Sequence, residues 1–218
     1  MSPDAFFIVS KLFSYPDQAL ARELVEGNGL NELAEALRIC ATGPANLDDA
    51  DGFETRNGSF EELEQAVHAF RQHFGPMSVD EALHDMRIEH TNALAGMPKP
   101  MVQPYESIFR GEAEGRRVLI MVDDIAAQVR AAYKSAGVVQ VNGSEPADHV
   151  STELEFLGLL ADRDDPTFRS FAEDHVLSWM PDFARNVLAC ANDGGLMRLA
   201  AASLLHLLGT LAHPADCR

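Results

Sequence analysis

Residues 196–211, LMRLAAASLLHLLGTL, decide the fold. The run is built from Leu and Ala, good helix formers, and is too long for a buried strand. From Leu199 to Ala215 there is no Asp, Glu, Lys or Arg. His206, His213 and Pro214 interrupt that stretch, and it is too short to span a bilayer comfortably, so it reads as a buried core helix.

Working outward, the rest of the chain carries helical punctuation. Ser2-Pro3 is a cap followed by a first-turn proline, and Phe6, Phe7, Ser10 and Phe13 then recur at three- and four-residue spacing until Tyr15-Pro16. Short helices are expected near 17–26 and 30–41. Thr42 to Gly58 holds Gly, Pro, Asn and Asp without apolar periodicity and reads as an exposed connection. Ser59-Phe60-Glu61-Glu62 and Ser78-Val79-Asp80-Glu81 both match the capping box, predicting helix starts at about 60 and 79. The second of these helices is expected to end at Gly96-Met97-Pro98-Lys99-Pro100, before a proline-bearing segment over 96–114.

Leu119, Val122, Ile125, Val129 and Ala132 form a helical stripe that ends at Gly137. A polar linker, Gln140 to Ser144, leads into Glu145-Pro146 and a helix through Leu160 and is the best internal boundary; residues 137–144 are a candidate hinge. Asp165-Pro166 opens a further helix, Pro181 punctuates the next, and 196–211 closes the set. Gly137 to Val141 is the longest strand-like stretch. The expectation is an all-α chain, residues 1–218 forming a single helical bundle of roughly ten helices.

With 218 residues the chain is long enough to bury a core without disulfides or a structural metal. Its 34 acidic and 17 basic residues give a net charge of −17, which repels nucleic acid and anionic lipid and attracts basic peptides. Cys40, Cys190 and Cys217 are odd in number and show no CxxC spacing, which fits a reducing compartment. No export signal is read at the amino end, where Ala5 to Val9 is short and follows Asp4.

Catalytic and metal patterns are weak. Glu81-x-x-His84 has one half of a di-iron spacing without a second pair, and reads as a surface helix pair. His149 and Glu153 lie one turn apart, but no third ligand is marked. No GxSxG elbow or phosphate loop occurs; Gly194-Gly195 reads as a helix-ending turn, and Cys190, near Val187 and Leu188, as a buried inert thiol. Neither a catalytic residue nor a metal or other cofactor is assigned.

Two segments stand out. In Gln103-Pro104-Tyr105-Glu106-Ser107-Ile108-Phe109 a proline fixes the backbone beside two aromatics, a preorganised apolar surface suited to a peptide, or else a plug for the bundle core. Glu145-Pro146-Ala147-Asp148-His149 runs into Glu153-Leu154-Glu155-Phe156 and places Asp148 and His149 in the first turn of a helix. There the dipole favours the Asp148 carboxylate and biases His149 toward neutral.

Together these segments, about forty residues apart, resemble the signature of the TorD/DmsD/NarJ family of molybdoenzyme chaperones. Leu12-Phe13-Ser14-Tyr15-Pro16 and His175 to Trp179 with Phe183 extend the likeness over most of the chain. The chain departs from the family pattern at Gln103 and over Glu89 to Leu94.

The resemblance implies a TorD-like helical fold and a cytoplasmic binding protein that is not an enzyme. Its partners would be the twin-arginine signal peptide and the apo form of a molybdopterin oxidoreductase, held until the cofactor is inserted. A NarJ-like assembly protein for a non-exported redox complex is the alternative. By the same resemblance Pro104, Tyr105, Glu106, Asp148 and His149 are the peptide-binding residues, with Tyr105 on the apolar part and Asp148 or Glu106 against arginine. The acidic charge complements a basic leader independently. Asp148→Asn is expected to weaken that binding and leave helicity intact. Monomer and domain-swapped dimer are both compatible with a hinge at 137–144.

Overall fold

The computed structural model describes residues 2–41, 50–116, 123–140 and 146–212. Eleven α-helices follow one another among them: α1 Pro3–Phe13, α2 Gln18–Val25, α3 Gly29–Ala41, α4 Ala50–Phe74, α5 Val79–His90, α6 Glu106–Ala113, α7 Asp124–Ser135, α8 Val150–Asp162, α9 Phe168–Phe171, α10 Met180–Cys190 and α11 Leu196–Ala212. Single π-helical turns extend α5 over Thr91–Ala95 and α9 over Ala172–Val176. The only strand-like pairing among the described residues is an isolated antiparallel bridge between Tyr105 and His149. The all-α expectation holds.

α11 lies at the centre, packed against α4, α10, α1, α3 and α5, while α1 pairs closely with α8. Leu199, Leu204, Leu207 and Leu211 on α11 are essentially inaccessible to solvent, and so is His206. Burial lowers the His206 pKa, which keeps the ring neutral inside the core. No helix among the described residues is long and apolar enough to cross a membrane. Gly158 makes the α1–α8 approach possible: an added Cβ would lie 2.9 Å from the Phe7 ring and 3.1 Å from Phe6 Cβ.

The local caps act where the sequence places them in several cases. The Ser78 hydroxyl accepts from Glu81 N–H and the Glu81 carboxylate accepts from Ser78 N–H, so Glu81 is engaged in the capping box. Gly194, at φ +77°, turns the chain ahead of α11, whose Leu196 N–H donates to the Glu89 carboxylate at 2.7 Å. Two expectations fail. α4 runs unbroken through Ser59 from Ala50, so residues 50–58 are helical and not part of an exposed connection. Once the turns over 60–74 exist, each upstream residue adds a hydrogen bond, which offsets the propensity cost of Gly52 and Gly58. Cys190 is exposed at the last turn of α10, beyond the buried stripe of Met180, Phe183, Ala184 and Val187. Its thiol donates to the Val187 carbonyl, and partial burial raises its pKa. Residues 42–49, 117–122 and 141–145, which include Glu145 and half of the candidate hinge, lie outside the described residues, as does Cys217.

Candidate peptide-binding site

The two distinctive sequence segments meet. Val150 N–H donates to Pro104 O and Glu106 N–H donates to Asp148 O, both at 2.9 Å, so Tyr105 and His149 face each other across the bridge. Their rings are 5.3 Å apart, edge to face. Each segment pairs with the other and then enters its own helix, α6 after Tyr105 and α8 after His149.

Asp148 does not stand in the first turn of α8; that helix begins at Val150 with His149 as its cap. The Asp148 carboxylate reaches across to α6 instead. Its Oδ2 accepts from Ser107 N–H at 3.2 Å and from Ser107 Oγ–H at 2.5 Å. A negative charge at the amino end of α6 complements that helix's unpaired N–H groups, and Tyr105, the residue in the capping position, makes no side-chain cap bond. Asp148 is 1% exposed, and its Oδ1 has no hydrogen-bond partner among the described residues.

His149 Nδ1 accepts from Ser151 N–H at 3.3 Å and lies 2.7 Å from Ser151 Oγ. Acceptance at Nδ1 puts the proton of a neutral ring on Nε2. Burial, with a smaller repulsive contribution from His90, lowers the His149 pKa to about 3. Ser151 also ties this cap to α1, since Ser10 Oγ–H donates to Ser151 O at 2.8 Å.

Glu106 is fully buried. Arg110 Nη1 donates to its Oε1 at 2.6 Å, and His175 Nδ1 lies 2.9 Å from its Oε2. One turn into α8, Glu153 is also fully buried, and Trp179 Nε1–H donates to its Oε2 at 3.1 Å. Burial first, and then the adjacent Glu106 charge, push the Glu153 pKa well above the usual carboxylate range. Tyr133 closes the cluster by donating its hydroxyl proton to Ala147 O at 2.7 Å.

Of the five residues expected to bind peptide, Pro104, Glu106, Asp148 and His149 are buried and Tyr105 is half-buried. The structure brings all five together. Ser107, Arg110, Glu153 and Trp179 complete the polar network and had not been singled out as site residues, although Arg110 stands four residues after Glu106 and the others lie within the quoted segments. Among the described residues no group of three His, Cys, Asp or Glu side chains is arranged to hold a metal ion.

Fold and site define an all-helical protein in which two chain segments are latched by a buried polar network. The model of the nitrate reductase delta subunit family matches residues 58–185, more than half of the chain, and the protein belongs to that family. It is similar to the chaperone protein TorD of Photobacterium profundum, 28% identical over 146 residues that cover 61% of this chain and 65% of that one. It is also similar to the TorD chaperone of Shewanella sp. strain ANA-3, 25% identical over 144 residues covering 66% and 68%. The match thus spans slightly less than two thirds of the Photobacterium protein's length. A crystal structure of a proposed redox enzyme maturation protein from Archaeoglobus fulgidus aligns over 94% of this chain and 92% of its own, with 19% identity and a TM-score of 0.49.

Proposed function

We propose that this protein is a cytoplasmic chaperone that binds the twin-arginine signal peptide, the apo form, or both, of a molybdopterin oxidoreductase and assists cofactor insertion before export or assembly. The observation that carries the reading is family membership over residues 58–185, joined by the TorD name of its relatives. The net charge of −17 supports it, because a leader with arginines ahead of an apolar run is drawn toward a chain of opposite net sign.

Within this reading the five motif residues divide their work. Tyr105 offers the accessible aromatic edge. Pro104, Glu106, Asp148 and His149 hold that edge in place, since a carboxylate 1% exposed and bonded to Ser107 meets a peptide guanidinium only after the latch opens. The description of the matching family as a nitrate reductase subunit favours a second reading, an assembly protein for a redox complex that is not exported.

Calorimetric titration with the leader of the oxidoreductase encoded nearest to this protein, beside a twin-lysine version, tests the proposal. Saturable binding that prefers arginine is expected. Retention of the apo-oxidoreductase with no leader binding selects the second reading, and failure to bind either one overturns both.

A further inference from the structure

Beside the latch, and apart from its buried carboxylates, two surface cavities meet at Ser14. One, of about 270 Å³, lies between the end of α7 and α8 and is lined by Tyr133, Val138, Val139, Phe156, Leu159 and Glu155. The other, of about 370 Å³, lies along α1 and α2 and is lined by Lys11, Tyr15, Asp17, Leu20 and Glu23 among others. Val139 is 83% exposed and Tyr15 57%, unusual values for large apolar side chains at the mouths of concave surfaces. The lining carries three carboxylates, Asp17, Glu23 and Glu155, against one ammonium, Lys11.

Two of the carboxylates are held in place. Asp17 Oδ1 accepts from Leu20 N–H at 2.8 Å, and Glu23 Oε1 accepts from Asn28 N–H at 3.1 Å. A positioned pair of anions beside an apolar recess suits an extended segment with adjacent cations followed by aliphatic side chains.

We infer that this groove is where the leader lies, its two arginines against Asp17 and Glu23 and its apolar run in the recess of Val138, Val139 and Leu159. The inference rests on the chaperone reading above and gives that reading a surface distinct from the buried motif residues. Ser14 connects the two halves of the groove, and Ser151, which lines the recess, is the residue bonded to His149. Ser151 thereby ties the buried latch residues to one wall of the groove.

The test uses the full chain and a synthetic peptide with two adjacent arginines followed by a run of leucine and alanine. Asp17→Asn with Glu23→Gln removes two charges while both amides keep an oxygen for the N–H groups they serve. Val139→Lys places a cation in the apolar recess at an exposed position. Glu61→Gln with Glu64→Gln on α4 lowers the net charge by the same amount away from the groove. In low salt, both groove variants should bind about tenfold more weakly than the parent, which is about 1.4 kcal/mol, and the α4 control should bind within twofold. Parent-like affinity in both groove variants, or equal weakening in the control, overturns the groove and leaves leader binding intact. A parent protein that does not bind the peptide overturns the leader reading and the groove together.

Discussion

His149 makes the acid stability of this protein predictable. An unfolded histidine titrates near 6.5, whereas burial lowers the folded value to about 3. A depressed folded pKa contributes stability that is present above pH 6.5 and lost as the pH falls toward 3. Between pH 7 and pH 4.5 the unfolded chain takes up a proton here that the folded chain refuses, a loss of about 2.5 kcal/mol. Asn is a good helix cap and offers an oxygen to Ser151 N–H, so His149→Asn retains the cap and removes the titration. The variant forfeits ring packing against Tyr105, and its absolute stability at pH 7 is expected to be lower. The informative quantity is the change with pH. His90 and His206, also lowered by burial, act in the same direction, and Glu153 acts in the opposite one, but all three are common to both proteins. Urea unfolding followed by far-ultraviolet circular dichroism at pH 7, 5.5 and 4.5 should show the parent losing about 2.5 kcal/mol more than the variant. Parallel losses in the two proteins would refute the buried, neutral His149.

Three further outcomes follow from the same network and its surroundings. Asp148→Ala strands Ser107 N–H and Oγ in a buried site and should cost about 2–4 kcal/mol in chemical denaturation; adding Ser107→Ala should cost about 1–2 kcal/mol less than the sum of the two single changes, and strict additivity would contradict the coupling. Glu153 has a raised folded pKa, so its contribution is complete below about pH 4.5 and fades as the pH climbs toward that raised value. Glu153→Gln should therefore gain on the parent with rising pH, by at most about 1.4 kcal/mol per pH unit, and a constant difference from pH 5 to 8 would rule out a raised Glu153 pKa. At Gly158, Val should lower stability by about 1–3 kcal/mol, because its side chain meets Phe6 and Phe7; an unchanged melting temperature would show that α1 and α8 are not in close contact.

Asp148 shows where local reading stops. By sequence it belongs to the start of α8, and the dipole of that helix is the nearest field acting on it. In the fold its carboxylate serves α6, bonded to a serine 41 positions earlier. Glu106 likewise finds His175 69 positions away, although its other partner, Arg110, is only one turn along. The role of each carboxylate changes with these distant neighbours: the family resemblance set them against a peptide's arginine, and burial makes them parts of a latch.

What the sequence determined by itself was everything set within one or two helical turns. The Ser78–Glu81 capping box, the proline-led start of α1, the apolar run of α11 and the absence of any sustained strand period fixed the all-α class, because capping and periodicity act between residues three or four apart. The same locality misled at Ser59, where a valid capping pattern lies inside α4. Only the tertiary structure decided which polar groups are dry. Burial depends on residues far apart in the chain packing together, and it is burial that neutralises His149, raises the Glu153 pKa and removes Asp148 from solvent.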